Sequence, residues 1–294
     1  MSTHSLVFSQ IITGISIGSR LFLVAIGLSL IFGVLDVLNF AHGVLYMIGA
    51  YMAILAVESA VGSFVLGIVA AIFTVAVVGG ILEAVFIRQL YGRDEEVLDQ
   101  LLLTFAFVLI IEDGVRSTFG SQPQLISAPE SLTGTVSLGA GLSIPTYRGF
   151  VIVMAVLVLS GLLAVLRYTN IGRIVRATSS DREMARLLGI NVPQLYTGVF
   201  VVGAALAGLG GALAAPLQSV SPALGNQVVV DAFVVVVIGG LGSFVGAFVG
   251  AMLIGVLTAL GSEVIAGAGV LFPFLAMIVV LVWRPTGLFG GAEV

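Results

Sequence analysis

Cysteine and lysine are both absent from the sequence, and histidine occurs twice, at His4 and His42. Without thiols there are no disulfides, zinc thiolate sites or iron–sulfur clusters, and two histidines are too few for a histidine-based metal centre. A redox or zinc enzyme is therefore disfavoured. Without lysine, the Gly-x-x-x-x-Gly-Lys-Ser/Thr phosphate loop cannot be assembled. Charge is scarce as well: charged residues make up 9% of the chain, whose net charge is −4 and isoelectric point near 5.1. That balance argues against nucleic acid as a partner. No grouping of serine, histidine and carboxylate has a nucleophile-elbow context, so covalent catalysis has no support. No short basic region precedes the first apolar run, so no cleavable signal peptide is expected.

What the chain has in abundance is apolar surface, with 59% hydrophobic residues and a mean hydropathy of +1.23. Too little polar surface remains to cover a water-soluble globule, which makes this an integral membrane protein. Apolar runs of 17 to 25 residues recur along the whole length, as required of helices that satisfy their own backbone groups in lipid. The short alternating segments of a membrane β-barrel are missing. The runs fall at roughly 6–34, 37–57, 64–87, 98–115, 149–167, 195–215, 231–260 and 268–283. The expected fold is an all-α polytopic membrane bundle of about eight transmembrane helices, a single domain over residues 1–294.

Arginine placement orients it. Arg88 and Arg93 follow the third run, five arginines lie from Arg167 to Arg186, and Arg284 follows the last, which assigns these three sites to the cytoplasm. The Pro-, Ser- and Gly-bearing connection 117–148 is then an external, irregular loop. The region 231–260 must begin and end outside, yet two crossings need about 40 residues at roughly 20 each, and 30 are present. A broken or re-entrant pair resolves this: a half-helix from Asp231, a turn at Gly239, Gly240 and Gly242, and a second helix from about Phe244. The alternative is a wrong arginine assignment at one end. Non-helical backbone at membrane depth is tolerated where protein or a water-filled path covers it, so these glycines are candidate path residues. Arg20, costly at mid-bilayer, predicts an interfacial helix before it and a first crossing from about Leu21 to Leu35. Small residues every fourth position, at Gly203, Ala207, Gly211 and Ala215 and at Gly242, Gly246 and Gly250, predict close helix packing.

The stretch 171–190, within a polar loop of about 168–194, interrupts the apolar runs with four arginines. Helix formers run from Glu183 to Leu188, Ser180 or Asp181 can cap the start, and Gly189 stops the helix in the left-handed region. Leu187, Leu188 and Ile190 set apolar knobs beside the charges. The pattern fits either a docking helix or a solvated loop. Glu183-Met184-Ala185-x-x-x-Gly189 resembles the Glu-Ala-Ala-x-x-x-Gly loop of ABC importer permeases, with methionine in place of the second residue. GRIVRATSSDREMARLLGINV as a whole resembles the branched-chain amino acid ABC transporter permease family, as do IGLSLIFGVLDVLNFAHGVLYMIGAY at 26–51, VVVIGGLGSFVGAFVGAMLIGV at 235–256 and the terminal WRPTGLFG.

The resemblance implies a prokaryotic cell-membrane permease for branched-chain or related amino acids. Its implied partners are a second, homologous permease subunit, two cytoplasmic ATPase subunits and an extracytoplasmic solute-binding protein. Asp181, Arg182, Glu183, Ala185 and Gly189 would be the coupling element. No cofactor is expected on this chain; ATP and magnesium would sit on the partner ATPase. Urea or short amides are alternative substrates. An ion-coupled secondary transporter, kept open by Asp36, Asp231 and Glu263, is the alternative mechanism.

Two further sets complete the candidates. The three-residue spacing of Asp36, Asn39 and His42 predicts one side of a helix, where they either line the path or tie adjacent backbone at a helix end. Asp231 either caps its half-helix or binds substrate. Glu112, Asp113 and Arg116 predict an interfacial ion-pair set.

Overall fold

The computed structural model describes residues 3–59, 62–91, 96–139, 142–264, 269 and 271–290. Its helices are α1 (Thr3–Leu35), α2 (His42–Glu58), α3 (Phe64–Ile81), α4 (Glu96–Phe119), α5 (Thr146–Tyr168), α6 (Asn170–Ser180), α7 (Arg182–Leu187), α8 (Val192–Ala214), α9 (Leu224–Gly239), α10 (Phe244–Val264) and α11 (Leu271–Trp283). Among the described residues, five stretches are long and apolar enough to cross a membrane: Ser9–Leu35, Phe64–Leu90, Thr146–Tyr168, Val192–Leu217 and Phe244–Glu263. α2, α9 and α11 are shorter apolar helices. The chain is an all-α polytopic membrane bundle. The connection 117–148 is more regular than expected, because Thr135–Gly139 (β1) and Leu142–Pro145 (β2) pair as an antiparallel hairpin.

The core sits around α1. In its apolar window 72% of residues are buried, against 17% for α5, so α1 is a central pillar and α5 lies on the lipid-facing rim. α10, α8, α9 and one side of α5 pack along the pillar, α2 meets it near its first turn, and small residues set the spacing. At Gly27 an added Cβ would lie 2.9 Å from the His42 ring, and at Gly203 it would lie 2.6 Å from Ile31. Glycine at both positions lets backbones come into contact where no aqueous hydrophobic effect drives helices together.

Three expectations are corrected. α1 runs unbroken through Arg20, so no interfacial helix precedes a later crossing. The arginine is tolerated because the carboxamide of Gln218, brought in from beyond α8, takes a hydrogen bond from it. The residues 36–41 are not helical: Asp36 adopts φ +55° and α2 begins only at His42. The broken pair of the seventh region exists, but its first helix starts at Leu224, and Asp231 therefore lies inside α9 and caps nothing.

The segment 36–41 is re-entrant. α1 ends at Leu35, yet His42 bonds the backbone of Val24, eleven residues and about 16 Å back along the α1 axis. α2 thus starts near the middle of the pillar. Gly225, in the first turn of α9, packs on Val44 in the first turn of α2. Two short helices therefore begin against one another at mid-depth.

Candidate coupling and translocation sites

The coupling segment folds as two helices rather than one. α6 opens with the Thr169 hydroxyl accepting from the Gly172 amide at 3.1 Å, and it buries Gly172, Val175 and Thr178 against the bundle. α7 follows after Asp181, whose carboxylate accepts from the Met184 amide at 2.8 Å. At the other end the Ile190 amide donates to the Ala185 carbonyl and the Gly189 amide to the Arg186 carbonyl, with Gly189 at φ +87°. This is the six-to-one and five-to-two pattern of a Schellman stop, in which only glycine fits the left-handed position without strain. Both ends of a six-residue helix are thus fixed by its own sequence. Asp181→Ala should destabilise α7 by about 1 kcal/mol, seen as roughly fivefold faster hydrogen exchange at the Met184 amide.

Burial separates the roles of the predicted residues. Ala185 is buried at 2% exposure, whereas Met184, Leu187 and Leu188 are 52%, 75% and 75% exposed. Glu183 is exposed. Arg182 turns toward the bundle: its guanidinium lies 5.6 Å from the Tyr91 ring and 5.0 Å from the Tyr196 ring, two cation–π contacts. The two rings meet edge to face at 5.5 Å, and the Tyr91 hydroxyl donates to Glu83 at 3.1 Å. Burial raises the Tyr91 pKa well above the ordinary tyrosine range, and Glu83 pushes it the same way. The phenol therefore stays a neutral donor. Glu83 is buried in a π-helical turn, Leu82–Phe86, that continues α3. Nothing in the spacing of Tyr91, Tyr196 and Glu83 announces this brace, because three separate elements supply it.

The candidate path residues fall into three places. Asp36 and Gly242 line one cavity of about 550 Å³ beside the C-terminal end of α1, together with Gly33, Arg176, Ser179 and Phe289. The candidate coupling segment borders this cavity directly through α6. Gly240, at φ +103°, and Gly242, at φ +79°, make the turn between α9 and α10, and Gly239 packs on Gly246. Asn39 and His42 lie deeper and are fully buried. His42 Nε2 donates to the Val24 carbonyl at 3.0 Å, which gives it the backbone-tying role, although the backbone it ties belongs to another helix. Asn39 has neither amide atom bonded to protein.

Asp231 occupies the third place, with residues that periodicity did not select. It shares a cavity of about 200 Å³ with Arg20, Tyr46, Gln218 and Thr258. Arg20 donates to Gln218 Oε1 at 3.2 Å, and Gln218 Nε2 donates to the Tyr46 hydroxyl at 3.1 Å. The sequence signal for this group is a polar residue, Gln218, just past a helix of small residues. In the last two turns of α4, Arg116 pairs with Glu112 at 2.8 Å, as its spacing predicts, and Asn226 donates to the other Glu112 oxygen at 2.6 Å.

A family model described as the permease component of the branched-chain amino acid transport system matches residues 10–282. The chain belongs to this permease family. It is 31% identical to the high-affinity branched-chain amino acid transport system permease protein LivH of Salmonella typhimurium, over 100% of this chain and 99% of the relative. Identity to the protein BraD of Pseudomonas aeruginosa, which bears the same description, is 32% over 97% and 96%. The probable LivH of Methanocaldococcus jannaschii is 27% identical over 96% and 92%. No solved structure matches the chain. Family membership and the apolar helices together make this permease a multi-pass protein of the prokaryotic inner membrane, with a role in transport.

Proposed function

We propose that this permease is the membrane subunit of an ATP-driven importer of the ABC class, forming the passage for branched-chain or related amino acids. Hydrolysis takes place on a separate ATPase, which holds ATP and magnesium, and this chain holds no cofactor. The observation that carries the reading is α7: a six-residue helix capped at both ends, buried through Ala185 and leaving Met184, Leu187 and Leu188 exposed. A rigid apolar knob beside exposed charges suits insertion into a cleft of another protein. Arg182 links that knob to α3 and α8 through Tyr91 and Tyr196, and α6 carries it to the inner mouth at Asp36 and Gly242. The remaining partners are a homologous permease subunit and an extracytoplasmic solute-binding protein that delivers substrate.

The test is reconstitution in liposomes with the homologous permease subunit, the ATPase and the solute-binding protein, comparing uptake driven by ATP with uptake driven by an ion gradient. ATP-dependent uptake is expected. Gradient-driven uptake without the ATPase would replace this reading with a secondary transporter. Gly189→Pro removes the Gly189 amide donor and places a ring where φ is positive, and Glu183→Lys reverses the charge at the positive end of the α7 dipole. Each variant should insert normally and lose at least tenfold of the ATPase stimulation by loaded binding protein. Full stimulation in both would refute the docking role of α7.

A further inference from the structure

Arg20 is a permanent cation one residue from the middle of α1, and Asp231 of α9 lines the same cavity. A purely structural pair of this kind is expected to close, because an ion buried without its counterion is strongly destabilising. These two do not close: among the described residues the ion pair found is Arg116 with Glu112, and Arg20 reaches the neutral Gln218 instead. The guanidinium has five donors in a fixed fork, and this single protein bond leaves its capacity for a bidentate anion. Tyr46 and Gln218, bonded to one another, hold the fork's surroundings in place. The lining also holds an acceptor, Asp231, and aliphatic side chains, Ile17, Val228 and Ile254.

A volume of about 200 Å³ is several times the roughly 30 Å³ share of a water molecule, enough for a molecule of the size of a small amino acid. We infer that this cavity binds the zwitterion of an aliphatic amino acid inside the permease, the α-carboxylate on Arg20, the α-ammonium on Asp231 and the side chain against Ile17, Val228 and Ile254. The inference rests on the import function proposed above and adds to it a substrate site in the membrane subunit itself. The first turns of α2 and α9 meet close by, and their positive ends favour the carboxylate.

The test is equilibrium binding of radiolabelled L-leucine, L-valine and L-alanine to the detergent-solubilised permease and ATPase complex without the solute-binding protein. Saturable binding of at least one is expected, competed by other aliphatic amino acids. Leucinamide, which lacks the carboxylate, and isocaproate, which lacks the ammonium, should each compete at least tenfold more weakly. Asp231→Asn and Arg20→Met should each weaken binding at least tenfold, with Gln218→Ala as a milder third variant should Arg20→Met fail to assemble. If wild type binds none of the three, or if binding is unchanged in Asp231→Asn and Gln218→Ala, the site is wrong. ATP-dependent uptake by the same wild-type complex, reconstituted in liposomes with the homologous permease subunit and the solute-binding protein, separates the two ideas: its persistence alongside absent binding overturns the site alone, and its absence overturns the importer reading.

Discussion

Changing Leu187 and Leu188 together to aspartate should abolish uptake, lowering it at least a hundredfold, while leaving the amount and thermal stability of the inserted permease unchanged. Both side chains are 75% exposed, so the bundle loses no packing when they are replaced. The caps at Asp181 and Gly189 are formed by other residues, so α7 itself persists. What disappears is the apolar knob, and two carboxylates take its place in a contact that must be dehydrated. Leaving a charge unpaired in such an interface costs on the order of 2–5 kcal/mol, and two charges suffice to release a partner held at micromolar affinity. Co-purification of the ATPase with the permease measures this directly: retention of the ATPase at wild-type stoichiometry would show that α7 is not its landing point.

Gly27→Leu should have an effect of similar size by the opposite route, through the membrane core. An added Cβ at this position meets the Gly203 carbonyl at 2.5 Å and the His42 ring at 2.9 Å. A whole leucine cannot be accommodated without separating α1 from α8 and driving the first turn of α2 off the pillar. Overpacking of cores costs typically 1–3 kcal/mol where a neighbour can yield, but backbone carbonyls on a packed helix do not yield. The hydrogen bond from His42 to Val24 would be lost as well. The expected result is failure to accumulate folded protein, seen as loss of the monodisperse peak in detergent gel filtration. Gly114→Leu, where an added Cβ meets nothing within 4 Å, is the matched control and should fold. Wild-type behaviour of Gly27→Leu would mean that α1 and α8 do not meet as described.

The parts of this molecule that local chemistry determines were readable from residues alone. Asp181 as a cap and Gly189 as a stop follow from short-range backbone requirements, and both take those roles. The glycine-rich turn after Gly239 was readable for the same reason. Where long-range contacts decide, the pattern misled. A three-residue spacing places Asp36, Asn39 and His42 on one helix face, but Asp36 takes φ +55° and the chain doubles back along α1. Periodicity cannot register a reversal that depends on His42 finding a carbonyl eighteen residues away. Arg20 shows the limit from the other side. Its cost at mid-bilayer is a cost in lipid, whereas here Gln218 answers it from a position 198 residues further on. The brace of Arg182 between Tyr91 and Tyr196 was equally hidden, since aromatic residues at helix ends carry no signature of the cation they will hold.

The inner end of α9 has one more property. Its last carbonyls are met from a distant part of the chain: the Leu288 amide donates to Ile238 and the Phe289 amide to Gly239, at 2.9 and 3.0 Å, while Gly287 sits beside Gly240. These donors emerge roughly fifty residues after their acceptors, a delay of about 2.5 to 10 s at ribosomal speeds of ~5–20 residues per second. Until then the Ile238 and Gly239 carbonyls are without the partners they have in the finished fold. The fold of the inner mouth is therefore sealed late in biogenesis, by the segment that follows α11, and a stalled chain ending near Trp283 would carry every helix described here without a finished floor.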